Sequence, residues 1–178
     1  MIWMKDNNMD SLYSVEDTRW MWEELEKIGV RSLRSAGEVD KILSKPTGTG
    51  LVVINSICGC ATAHARPAVG LALQNKVIPD DSVTVFAGVD REATARAREH
   101  ITGQPPSSPS IALFKNGRLV FILHRSRIEG RTVEAITEDL VSAFDQHCTS
   151  SWSAVLRNYL WRLADWIILI DIFCQNHK

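Results

Sequence analysis

Two cysteines separated by one glycine, Cys58-Gly59-Cys60, are the residues of this chain best suited to chemistry. An apolar run, Leu51-Val52-Val53-Ile54, leads to them through Asn55-Ser56-Ile57, and beyond them Ala61, Ala63 and Ala65 alternate with polar residues. This pattern predicts a strand that runs into the first turn of a helix, with both thiols at the junction. Free amide N–H groups and the positive end of the helix dipole stabilise a thiolate there, which suits thiol–disulfide exchange. Cys58 is nearer the helix start and is the expected nucleophile, the more acidic and more exposed of the two. The pair is poorly explained as two small buried apolar residues. Gly59 is expected to let the backbone bend between the sulfurs. A disulfide across one residue would close a tight ring, and strain makes such a bond easy to reduce. The expected couple is therefore oxidising, suited to shuffling more than to general reduction.

Other reactive side chains are fewer. His64 stands four residues after Cys60 on the same helical face, where it can depress a thiol pKa or offer a third ligand to a soft ion such as Zn(II) or Cu(I). An exposed histidine is the more ordinary state. With no second cysteine pair at metal-site spacing, a closed tetrahedral site would need a second chain. Metal binding through the Cys-x-Cys pair is thus the alternative, and no metal site is assigned. Arg66 and Arg125 can each grip a carboxylate with two bonds, although solvated surface charge is the commoner role. Cys148 and Cys174 lack a partner identifiable from sequence and are read as non-catalytic.

The elements that must position these groups fit one domain. The 178 residues are 45% apolar and 23% charged, as in ordinary globular chains, and the net charge of -1 argues against a nucleic-acid partner. Four unevenly spaced cysteines are not a secreted disulfide framework. Residues 1–11 lack a basic start followed by an apolar run, and the apolar run 166–170 is too short to span a bilayer. These readings place the protein in the cytoplasm without a transmembrane segment.

Ser14 caps a helix with Met21, Leu25 and Ile28 on one face and Gly29 at its end. Residues 30–33 suggest a short strand, and Ser35 opens a second helix through about Leu43. Pro67 should kink the helix that follows the cysteines. Residues 82–89 read as a second strand, and Asp90 as the cap of a solvent-facing helix over 91–101. Asn116-Gly117 between two apolar runs predicts a tight hairpin, and a last helix runs from about Gly130 to His147. Alternating helices and strands imply a mostly parallel sheet covered on both faces, with an antiparallel hairpin at one side. The expected fold is a thioredoxin-like three-layer α/β/α sandwich over residues 14–148. Residues 1–13 are expected to be loosely ordered. Residues 149–178, with Leu156, Tyr159, Leu160, Leu163, Ile167 and Ile170 in one stripe, are expected to form an amphipathic helical extension.

The segment Asn55-Ser56-Ile57-Cys58-Gly59-Cys60-Ala61, with Ala65-Arg66-Pro67-Ala68, closely resembles the bacilliredoxin family of thioredoxin-fold proteins. Ser107-Ser108-Pro109-Ser110, Phe114-Lys115-Asn116-Gly117 and Ile128-Glu129-Gly130-Arg131 extend the resemblance, which runs from about Leu25 to Cys148. The resemblance implies an enzyme that reduces mixed disulfides between bacillithiol, a low-molecular-weight thiol, and protein cysteines. Cys58 would be the nucleophile and Cys60 the resolving thiol, with disulfide isomerisation as a related activity. Bacillithiol would be a co-substrate, with no tightly bound cofactor, and the partners would be bacillithiolated or disulfide-containing proteins. The resemblance also implies a cis peptide bond at Ser108-Pro109, facing the cysteines and, with Gly59, meeting the substrate. Sequence alone would favour a trans bond. His64 departs from the family pattern, and residues after Cys148 lie outside it.

Overall fold

Strand β2 (Thr49–Asn55) is buried at all seven positions, because neighbours flank it and helices cover both its faces. A computed structural model describes residues 11–151. In chain order it comprises α1 (Val15–Lys27), β1 (Arg31–Ser32), α2 (Ala36–Leu43), β2, α3 (Arg66–Ala72), β3 (Val77–Ile78) and β4 (Asp81–Phe86). There follow α4 (Arg91–His100), β5 (Ser110–Lys115), β6 (Arg118–Leu123), α5 (Val133–His147) and β7 (Ser150–Ser151). The main sheet has the order β1-β4-β2-β5-β6, and β1, β4 and β2 are parallel. β5 runs antiparallel to β2, and β6 antiparallel to β5.

Alternation along β2 divides the core into two layers. Leu51 and Val53 face α1, α3 and α5, meeting Leu25, Val69, Leu140 and Phe144. Val52 and Ile54 face α2 and α4, meeting Val39, Leu43, Ala93 and Ala97. Each aliphatic side chain removed from water in this way contributes roughly 1.5–3 kcal/mol. The result is the expected thioredoxin-like sandwich of helices, mixed sheet and helices.

Local chemistry accounts for the element ends. The Ser14 hydroxyl accepts from Asp17 N–H, and Ser35 and Glu38 form a reciprocal capping box. The hairpin turns at Asn116 (φ 53°) and Gly117 (φ 74°), the left-handed pair that matches strand twist.

Four features differ from the sequence expectations. β4 stops at Phe86, and Gly88 (φ 92°) turns the chain before α4. The Asp90 side chain does not cap α4: it accepts from Phe86 N–H at 3.1 Å and pairs with Arg34 at 2.8 Å. α4 is not solvent-facing throughout, since Ala93, Thr94 and Ala97 are buried. The helix after the cysteines opens as a π-turn, Ala61–Ala65, in which Arg66 N–H reaches back to the Ala61 carbonyl. Pro67 follows directly, as the second residue of α3.

Of residues 1–13, expected to be loosely ordered, 11–13 are described, and Leu12 N–H donates to the Gly88 carbonyl at 2.7 Å. The expected helical extension begins instead with β7, antiparallel to β3. Its stripe from Leu156 onward, and Cys174, lie outside the described residues.

A Cβ on Gly117 would meet the Lys45 carbonyl at 3.3 Å on a left-handed backbone. Gly117→Ala is expected to cost about 1–2 kcal/mol in urea unfolding, with an unchanged m-value.

Candidate active site

The site is built where β2 ends. Asn55 is buried, and its side-chain oxygen accepts from Ser56 N–H at 2.9 Å while its Nδ2 donates to the Met21 carbonyl at 3.2 Å. These bonds aim the chain from the sheet into the turn. The Cys58 carbonyl then accepts from Ala61 N–H (3.0 Å) and Thr62 N–H (3.4 Å), which starts the helical winding.

Both thiols are free and half-buried, with Cys58 Sγ 2.6 Å from Cys60 Sγ. Burial opposes ionisation of Cys58. Hydrogen bonds from Cys60, the Ser56 hydroxyl (3.3 Å) and the Ala61 amide, helped by the Arg125 charge, outweigh burial and hold its pKa below the ordinary thiol value. For Cys60 burial acts with, not against, its neighbour: the hydrogen bond to Cys58 and the Cys58 charge push it up to about 11. One thiol is therefore readied as the thiolate and the other keeps its proton.

Ser108-Pro109 is a cis peptide bond, as the resemblance implied, and Pro109 is buried. Its loop is tied to the turn after β6, because Arg125 N–H donates to the Ser107 hydroxyl at 2.8 Å. Cys58, Ser108 and Arg125 thus line one open groove of about 850 Å³. Gly59 is exposed, is outside the left-handed region, and a Cβ there would meet nothing within 4 Å. The bend between the sulfurs therefore does not depend on glycine, whose effect is to leave the surface above them open.

The sequence profile of the Disulphide isomerase family matches residues 13–148. A bacilliredoxin of Koribacter versatilis is 47% identical over 134 residues, 75% of this chain and 92% of that one. Another, of Geobacillus kaustophilus, is 52% identical over 120 residues, 67% of this chain and 82% of that one. The chain belongs to the bacilliredoxin family. It is a thiol–disulfide oxidoreductase. The family match begins at residue 13, upstream of the resemblance noted from about Leu25, and ends at Cys148 as that resemblance does. The oxidised thioredoxin of Plasmodium falciparum aligns with 65% of this chain and 99% of that one, at 18% identity and a TM-score of 0.47. That distant likeness says nothing of activity.

In this bacilliredoxin two sequence candidates change role. Arg66 is not a surface group open to a ligand: it is 3% exposed. Its Nε donates to Glu24 at 2.7 Å, Nη2 to the Thr62 hydroxyl at 2.9 Å and Nη1 to Asn55 at 3.4 Å. His64 is half-buried, and its Nδ1 has no hydrogen-bond partner among the described residues. No three His, Cys, Asp or Glu side chains among the described residues are grouped to hold a metal ion, so His64 does not complete a ligand set with the cysteines. Cys148 is buried beside Thr49 and Asp80, and burial pushes its thiol up to about 11.

Residues that the sequence did not single out also join the site. The Ser56 hydroxyl was legible in principle, two residues before Cys58. Arg98 and Thr94 of α4, which share the groove with Cys58, were not, because they reach it only through the sheet order.

Two measurements check this geometry. Alkylation by iodoacetamide across pH is expected to modify Cys58 first, with a midpoint below the ordinary thiol value, and Cys60 only near pH 11. Cys60→Ala removes a donor to the thiolate, so the Cys58 midpoint must move up; an unmoved midpoint would show that Cys60 does not tune it. Arg66→Met strips partners from Asn55 and Glu24 and is expected to cost about 1–3 kcal/mol in chemical unfolding.

Proposed function

We propose that this oxidoreductase removes bacillithiol from protein cysteines, with Cys58 as nucleophile and Cys60 as resolving thiol. The observation that carries the reading is the asymmetry of the pair: adjacent sulfurs, one held below and the other well above the ordinary thiol pKa. The Cys58 thiolate attacks the bacillithiol sulfur of the mixed disulfide. A new S–S bond forms, the client–bacillithiol bond breaks, and the client leaves as a thiolate that takes up a proton. Cys60 then gives up its proton and attacks Cys58, releasing reduced bacillithiol and leaving a Cys58–Cys60 disulfide. Alternatively a second bacillithiol resolves the adduct and carries the oxidising equivalents away as its own disulfide. An external thiol reductant must reopen the Cys58–Cys60 bond before the next cycle. Electrons balance at each exchange, so no tightly bound cofactor is required.

Gly59, Ser108 and Pro109 serve the client in this reading. The buried cis-proline loop holds the Ser108 backbone beside Cys58 for an extended segment of the client, and the open surface at Gly59 admits the backbone of that segment. Isomerisation of client disulfides follows from the same attack when the client's own thiol, rather than Cys60, resolves the mixed disulfide. The dependence on a low-molecular-weight thiol and the sparse cysteines favour a reducing, cytoplasmic setting. Among the described residues no helix is long and apolar enough to cross a membrane.

Mass spectrometry after incubation with a bacillithiolated model protein tests the assignment. Cys60→Ser is expected to accumulate one bacillithiol on Cys58, while Cys58→Ser leaves the substrate intact. If no variant and not the wild type takes up bacillithiol, yet the wild type cycles a Cys58–Cys60 disulfide, the co-substrate is wrong and general isomerisation remains.

A further inference from the structure

The groove beside Cys58 has a polar wall that the exchange chemistry described above does not use. Arg91, Thr94, Ala95 and Arg98 recur at helical spacing on the face of α4 that lines it, across from Cys58, Ser108 and Arg125. Two polar atoms in this wall are left without partners among the described residues: Oγ1 of Thr94, in a residue only 3% exposed, and the buried Nε of Arg98. A buried donor left unmade is costly, so a wall holding two of them is suited to a ligand that completes them. The lining also has a sign. Arg91, Arg98 and Arg125 line it with one glutamate, Glu92, of which one oxygen already accepts from Ala36 N–H at 3.2 Å; Arg125 is itself paired with Glu129 outside the groove, through Nε at 3.2 Å and Nη2 at 3.4 Å. An anionic, polar group fits this wall of the groove.

We infer that the wall formed by Thr94 and Arg98, together with Arg125, is the subsite for the carboxylates of the low-molecular-weight thiol. The inference rests on the debacillithiolation reading and deepens it. The guanidinium of Arg98 receives carboxylate oxygens, the Thr94 hydroxyl adds a further hydrogen bond, and Arg125, while paired with Glu129, offers its remaining nitrogen and its charge from the opposite wall. Anchoring the small thiol here decides which sulfur of the mixed disulfide Cys58 attacks. Its own sulfur is presented to Cys58, so that bond forms and the client sulfur departs with the electron pair. Without the anchor, attack at the client sulfur would link Cys58 to the client and release bacillithiol instead. Arg98 is thus a positioning and specificity residue.

The test compares one client protein in two forms, its one cysteine held in a mixed disulfide with either bacillithiol or the uncharged thiol 2-mercaptoethanol (the hydroxyethyl form). Arg98→Gln is expected to lower kcat/KM for the bacillithiolated form about tenfold more than for the hydroxyethyl form, the scale of a lost charge-assisted hydrogen bond. The loss should lie mainly in KM, and Arg98→Lys should restore part of it. Arg125→Gln, on the opposite wall, should show the same preference. Equal losses on both forms, as expected if the arginines bind an acidic stretch of the client or only support the fold, overturn the subsite, as does no loss on either. If the wild type itself fails to remove bacillithiol while reducing the hydroxyethyl form, the function reading fails, and the subsite with it.

Discussion

The side chain of Asn55 is the joint on which the reactive end of the molecule depends. It accepts from the Ser56 amide and from the Arg66 guanidinium, and it donates to the Met21 carbonyl, so one buried amide ties α1, the end of β2 and the start of α3. Each partner is buried or nearly so, and each would be costly to leave unmade. Arg66 brings a full charge into this layer and is accommodated because Glu24, Thr62 and Asn55 all accept from it. The cysteine turn inherits its direction from this joint. A looser junction would let Cys58 swing away from the Ala61 amide and the Ser56 hydroxyl that favour its thiolate.

The chemistry rests on a second constraint, that two adjacent thiols cannot both ionise cheaply. Once Cys58 carries the charge, Cys60 is held neutral by that charge and by its own burial, and its S–H stabilises the thiolate beside it. Arg125 favours ionisation of both, so the asymmetry comes from the local hydrogen bonds and not from the cation. The hydroxyl of Ser56 and the amide of Ala61 act on Cys58 and not on Cys60. Position at the turn, rather than residue type, therefore separates the thiol that ionises from the one that stays neutral.

Around this centre the two faces of the sheet contribute differently. The α1–α3–α5 face supplies the joint and the π-turn that precedes Pro67, while the α2–α4 face supplies the far wall of the groove. The cis-proline loop enters β5 between them and is fastened to the turn after β6 through Ser107 and Arg125. The groove is consequently walled by segments far apart in sequence, and its shape is a property of the packed sheet.

Much of this was legible from residue order alone. The apolar run Leu51–Ile54, the helix caps at Ser14 and Ser35, the Asn116-Gly117 turn and the paired cysteines depend on neighbours within a few residues, where propensity, capping and periodicity act. The fold class followed, because alternating helices and strands with one tight hairpin leave few arrangements open. What tertiary structure alone decided are the relations between distant segments. Arg66, read from sequence as a surface charge, is buried because Asn55 and Glu24 converge on it. Asp90, read as a cap, turns to Arg34 across 56 positions because α2 packs beside α4. Thr94 and Arg98 look like part of a solvated helix, and only the sheet order β1-β4-β2 carries α4 to the groove of Cys58. Local bonding is written in adjacent residues, whereas charge burial and groove lining depend on which surfaces the fold brings face to face.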